Sequence, residues 1–303
     1  MGLVNILAIF FPIIVLFSGA LNVGFASTIW LAPSPSENRD SNWYPAAIQK
    51  QQGQVVQFDR DVIVITDPKT SRSRRLASSR VLWIESDDQT DREKKIRSFF
   101  EEQRDTDVLS GLSDVLKERP PVWRQQWLTM VAAVSAWRTK RGKVALELIS
   151  QLDQRPLPLM ILAWLPIAWT NQITAEPLVA DALARLSDPS PIVQLIASSW
   201  LLSSVHRNVA SEKIKELITS ERTEVAQLAS ALLWRVATPE QVKKSAEDWR
   251  DEIDRMPLML QGGPLVLLKS KLRSSGEATA AEHLQWSIDV APLMTQLRWL
   301  DGR

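Results

Sequence analysis

Cysteine is absent from the 303 residues, which excludes disulfides, thiolate nucleophiles and Cys-ligated metal sites. Histidine occurs twice, as His206 and His283, and neither belongs to an HExxH arrangement. A zinc site would then need carboxylate and imidazole ligands gathered from afar. Both histidines are read as ordinary polar positions near helix ends. The chain also lacks a GxSxG elbow, a Walker loop and a GxGxxG fingerprint, the devices that expose a nucleophile or cradle a phosphate. No cofactor is expected. An excess of one charge is missing too: 36 Lys+Arg against 35 Asp+Glu leave +1. The whole molecule therefore exerts no pull on nucleic acid or an anionic membrane.

No charged side chain precedes Glu37. The uncharged stretch opens with an apolar run from Leu3 to Phe17 and continues through small residues to Ser27. Gly24 and Ala26 occupy the −3 and −1 positions of a cleavage after Ala26. Residues 1–26 read as a secretory signal peptide. No Lys or Arg precedes the run, and the stretch is long enough to span a bilayer, so an uncleaved N-terminal anchor is the alternative. Under either reading the rest of the chain sits outside the cytoplasm, in a periplasm or secreted. A lipoprotein anchor is excluded with cysteine.

Residues 27–52 are expected to be a linker, polar and Pro/Ser-rich from Ala32 to Tyr44. Residues 53–86 then show three short β-type runs, Gln54–Phe58, Val62–Thr66 and Val81–Ile84, with turn residues between them. This predicts a small antiparallel β-meander, marginal alone and expected to pack on helices or to recruit strands from Trp43–Lys50. Residues 87–107 are charge-rich and predict an exposed connecting helix. From 108 to 303 the pattern is helical. Thr238-Pro239-Glu240-Gln241 is a capping box with Pro at the first helical position. The apolar run Leu157–Trp169 is too short for a membrane span and predicts a buried central helix. Gly262-Gly263-Pro264 is read as a helix break. Short helices are expected at Ala278–Trp286 and Pro292–Trp299.

One helical phrase is written three times within this region. Ala163, Ala197 and Ala229 share a register in which Leu159, Val193 and Val225 stand four residues before, and Ile167, Leu201 and Leu233 four after. Leu162, Ile196 and Leu228 stand one before, so the apolar positions form a single helical face. Leu152, Leu186 and Ile218, eleven residues upstream, fall on the preceding helix. A period of this kind predicts stacked helix pairs, about five of them, in an α-solenoid. Ordering one such pair costs about 50 kcal/mol, which requires burial of roughly 2,000 Å² of apolar surface. A lone pair cannot supply that much, so each leans on its neighbours.

Leu186-Ser-Asp188-Pro-Ser-Pro-Ile-Val193-Gln-Leu-Ile-Ala197 resembles the HEAT-type repeat, in which Leu-x-Asp closes one helix and Val-x-x-x-Ala opens the face of the next. Leu152-Asp153 and Val225–Ala229 echo it. The Arg that commonly follows the Val is Gln194 here. The resemblance covers roughly residues 108–270 and implies a non-enzymatic scaffold or adaptor that binds another protein.

Three side-chain groups carry the remaining functional options. Lys69, Arg72, Arg74, Arg75 and Arg80 crowd the stretch between the second and third expected strands. They form either a solvated loop or a contact for an anionic partner, polyanion or lipid headgroup. Glu85, Asp87, Asp88 and Asp91 read as a solvated acidic linker, without the alternating ligands and Gly turn of a calcium loop. A hydrolase using Asp/Glu residues across a cleft is the enzymatic alternative. Thirteen Trp against one Tyr is an uneven balance. Trp164, Trp169, Trp200 and Trp234 lie inside the repeat helices, as core or, for one or two, as glycan-stacking platforms.

Overall fold

The structure, a computed structural model, describes residues 27–33, 48–171 and 174–289. The expected leader (1–26), most of the tether (34–47) and the expected helix Pro292–Trp299 lie outside the described residues.

Five strands form one antiparallel sheet: β1 (Ser27–Leu31), β2 (Gln49–Phe58), β3 (Val62–Thr66), β4 (Ser73–Ala77) and β5 (Val81–Glu85). Their order is β4-β3-β2-β1-β5. Two strands stand where none was expected. β1 occupies the start of the supposed linker, and β4 occupies the supposed loop between the second and third runs. The sheet is therefore larger than a three-stranded meander. β5 does not pair with β3, as a meander would require, but crosses to the far side and pairs with β1. The reasons are local. β1 alternates buried Ile29 and Leu31 with half-buried Trp30, a period too short to stand out beside the leader. β4 carries one apolar residue worth covering, Leu76, because an edge strand needs little apolar surface. Ile29 faces Ile84 across the β1–β5 pair, and Phe58 faces Ile63 across β2–β3. All four are buried.

Helices make up the rest. They run α1 (Asp91–Glu101), α2 (Asp105–Lys117), α3 (Val122–Arg138), α4 (Gly142–Leu152), α5 (Leu159–Leu162) and α6 (Glu176–Leu183). There follow α7 (Pro191–Leu201), α8 (Arg207–Leu217), α9 (Thr223–Leu233), α10 (Pro239–Arg255), α11 (Gly262–Ser274) and α12 (Ala278–Asp289). Sequence neighbours pack on one another from α1 through α4, from α6 through α9, and from α10 through α12. Longer-range packing sets α4 on α6 and α7, and α9 on α7 and α11. The sheet rests on α3 and α5, with the Phe58 ring edge-on to Trp123 at 6.4 Å. Burial follows this layering: α7 is apolar and buried almost throughout, whereas α10 buries only Val242 and Ile253.

The start of α10 follows its sequence signal. Thr238 accepts from the Gln241 amide while the Gln241 side chain accepts from the Thr238 amide, completing the expected capping box of α10. Thr90 and Glu93 make the same reciprocal cap on α1. The charged segment 87–107 is not simply an exposed helix. It splits into α1 and the start of α2, and α1 buries Glu93, Ile96 and Phe100. Leu157–Trp169 departs further from expectation. Only Leu159–Leu162 is helical, and the chain then runs irregularly past Pro166. Proline has no amide to donate, and its ring opposes the carbonyl four residues back, so the helix stops early. Gly262-Gly263-Pro264 opens α11 instead of breaking a helix.

Candidate functional site

The basic ribbon begins with a turn. Asp67 accepts from the Lys69 amide (2.8 Å) and the Thr70 hydroxyl (3.0 Å), and Ser71 takes a left-handed φ of 54°. The Lys69 amide is the main reason the Asp67 carboxyl lies below its ordinary range. The chain returns as β4, with Arg74 opposite Ile65 and Arg75 opposite Val64. Lys69, Arg72, Arg74 and Arg75 are exposed and make no salt bridge among the described residues. Burial raises the Asp59 carboxyl, but Gln57, the Val62 and Asp61 amides and the Arg75 charge together hold it low. Arg80 is separate from this group. Its Nε donates to the Ala32 carbonyl (3.0 Å) and its Nη2 to Gln49 Oε1 (2.9 Å), tying the end of β1 to the start of β2. Four of the five expected cations thus share one edge ribbon, and the fifth holds the sheet together.

The acidic stretch divides likewise. Asp88 accepts from Arg124 Nη1 (2.7 Å) and from the Ser86 hydroxyl (2.6 Å). Glu93 lies 3.5 Å from Arg124 Nε and accepts from the Thr90 amide at 2.8 Å. Burial pushes the Glu93 carboxyl up, more than the Thr90 amide and Arg124 pull it down. Glu85 and Asp87, with Lys94, Arg97 and Glu101, line an open polar cavity of about 330 Å³ between β5 and α1. Arg97 is already engaged there, donating to Glu101 at 2.8 Å and lying over the Trp83 ring at 5.2 Å. Among the described residues no group of three or more His, Asp or Glu could hold a metal ion.

Most of the repeat tryptophans are core. Trp200 is fully buried and donates to the Pro166 carbonyl at 2.7 Å. Trp169 is buried with its ring against Gly263. Trp234 stacks on Trp249 at 5.0 Å and 12°, but is itself buried. Trp164 is half-buried, edge-on to Trp127 at 5.8 Å, and Trp127 in turn meets Trp83 at 5.1 Å. Trp169, Trp200 and Trp234 therefore serve the core, with no open ring face for sugar stacking.

Sequence reading missed a buried cation. Arg235 is 3% exposed. It donates to the carbonyls of Ala168 (2.7 Å) and Ser199 (2.6 Å), to Ser203 Oγ (2.6 Å) and to Asn171 Oδ1 (3.3 Å). Lys271 Nζ donates to the carbonyls of Arg235 (3.1 Å) and Ala237 (2.8 Å). Burial, with Arg207 nearby, lowers Arg235 to about 10. One guanidinium thus satisfies main-chain carbonyls from two earlier segments, Ala168 in the irregular stretch after α5 and Ser199 in the last turn of α7. Nothing in the local sequence marks it. A second tie, Arg60 to Glu224 at 3.0 Å, fastens the β2–β3 turn to the start of α9. The comparisons add no relative: no protein-family model, curated protein or solved structure matches the chain.

Proposed function

We propose that the chain is a non-enzymatic scaffold or adaptor, acting outside the cytoplasm, whose HEAT-like α-solenoid binds another protein through its helical surface. In support, the sequence-adjacent pairs α2–α3, α6–α7, α8–α9 and α10–α11 each pack together, and α9 packs on both α7 and α11. The one-turn α5 makes no such pair with α4, which packs on α3, α6 and α7 instead. The observation that carries the reading is where large apolar side chains remain exposed. Val144 lies on α4, Leu183 on α6 and Val209 on α8, with Val205 just before α8 and Ile218 just after it. Of the seven such residues among the described ones, one lies on each of α4, α6 and α8, and two more flank α8. Isolated exposed apolar residues need no explanation, but three of them on and beside α8, Val205, Val209 and Ile218, favour a partner surface there. The location rests on the sequence: the apolar run Leu3–Phe17, followed by Gly24 and Ala26 before a cleavage after Ala26.

The test replaces Val205 and Val209, 94% and 54% exposed, with Asp together. Wild type and variant should melt alike, and a partner cross-linked to wild type in native envelope extract should be lost with the variant. The same cross-linked set from both chains, or none from either, overturns the reading. Fractionation with N-terminal sequencing tests the location, and a full-length cytoplasmic chain would contradict it.

A further inference from the structure

Hydrogen-bonded and non-bonded residue pairs alternate along an antiparallel ladder. The Asp67 amide donates to the Arg72 carbonyl (3.0 Å), and the Ser78 amide donates to the Asp61 carbonyl (3.0 Å). Counting in register between these two bonds, Arg74 and Leu76 turn their main-chain groups toward β3. Ser73, Arg75 and Ala77 turn their amides and carbonyls toward the open side. β4 ends the strand order. Among the described residues its outer edge therefore leaves the amides of Ser73, Arg75 and Ala77 and the carbonyls of Ser73 and Arg75 unpaired, the Ala77 carbonyl being taken by the 3-10 turn Ser78–Arg80, a template on which a further strand can form. The side chains add a second condition. Successive strand residues point to opposite faces, so Arg74 and Arg75 flank the edge from both sides, with Arg72 and Lys69 at the adjoining turn. All four are exposed and free of salt bridges among the described residues.

We propose that the free edge of β4 is a docking strand for an extended acidic segment of a partner protein, which adds to the sheet as a sixth strand. Consecutive acidic residues in that segment meet Arg74 on one face and Arg75 on the other, while the backbone supplies the remaining bonds. A lipid surface or a flexible polyanion matches the charge but not the ladder. The proposal goes beyond the helical-surface reading and uses a different surface, so either can fail without the other.

Fluorescence anisotropy on the full chain tests it, with a labelled peptide of about ten residues that sets Glu-Asp pairs among valines. Two further peptides carry the same charge but are N-methylated on alternate residues, in the two opposite phases. The acidic peptide should bind, and one methylated phase should lose binding while the other keeps it. Arg74→Gln with Arg75→Gln should weaken binding about tenfold and leave the melting temperature unchanged. Ala77→Pro should also weaken it with the fold intact, because Ala77 already has φ −63° and its amide is not needed by β3. If both methylated peptides bind like the parent, or if phosphatidylglycerol vesicles bind while the peptide does not, the edge is only an electrostatic patch. If nothing binds, the charges merely guard the edge. Each of those results overturns the proposal.

Discussion

Gly263→Ala sets two effects of opposite sign against each other. Gly263 lies in the first turn of α11, where alanine favours a helix over glycine by up to about 1 kcal/mol. Propensity alone predicts a more stable protein. The structure predicts the reverse. A Cβ at Gly263 would lie 2.1 Å from Trp169 Cε2 and 2.2 Å from its Nε1. Carbon atoms in good contact stand about 3.5–4.0 Å apart, so more than an ångström must be recovered. The obstacle is a flat ring, only 5% exposed, with no flexible end to swing aside. Overpacking costs about 1–3 kcal/mol, and a clash this short against a rigid ring takes the upper part of that range, about 2–3 kcal/mol, so the net after the propensity gain is about 1–2 kcal/mol of destabilisation. For a domain of this size that lowers Tm by about 2–8 °C. Urea unfolding followed by far-UV circular dichroism reads it without depending on the tryptophan signal. A double-mutant cycle isolates the cause, since in a Trp169→Leu background Gly263→Ala should cost nothing or stabilise. Equal or greater stability of Gly263→Ala in the wild-type background would refute the packing of Trp169 on α11.

Three further expectations follow from burial and hydrogen bonding. Ala197, fully buried on α7, has no room for a larger side chain, so Ala197→Leu should lower stability by about 1–3 kcal/mol in urea unfolding. Gln194 lies off the fully buried face but donates to the Asp188 carbonyl at 2.5 Å, so Gln194→Leu should cost about 1 kcal/mol through that lost bond. Glu93 gives a pH dependence: its folded value is raised above 4.5. Its contribution is therefore fully present below pH 4.5 and fades as pH rises through the folded value. Glu93→Gln, which keeps the cap, should flatten that fall. Denaturation midpoints across the window check it, and parallel pH curves for the two chains would contradict the assignment.

The sequence reading was strongest where a periodic face and a terminal signal agree. Thr238–Gln241 announced α10, and Ala197 and Ala229 announced buried faces, because capping and 3.6-residue periodicity are both local. It was weakest at the sheet. β4 is Ser-Arg-Arg-Leu-Ala, and on local chemistry alone that is a basic loop. It becomes a strand because β3 supplies a ladder and because an edge position asks for little apolar surface. The five cations were legible as a cluster, but their division was not. Arg80 differs from Arg75 only in meeting the Ala32 carbonyl and Gln49, residues distant in sequence.

Arg235 shows the same limit from the inside. It follows Trp234 in a short 3-10 turn after α9, a position where a cation ordinarily reaches solvent near helix carbonyls. Here the carbonyls it reaches belong to Ala168 and Ser199, on segments folded earlier in the chain. The Ala168 carbonyl is available because Pro166 ended the helix, leaving main-chain groups without an intrahelical partner. The irregular segment and the buried cation therefore explain each other. A helix continuing through Trp169 would have left Arg235 fewer acceptors, and burying a charge without acceptors is costly. With Trp200 donating to the Pro166 carbonyl on the same stretch, two of the acceptors exposed by one proline are met by side chains from later helices. The break in periodicity at Pro166 is thus compensated by polar bonds across the stack, which is why it coexists with a fully packed interior.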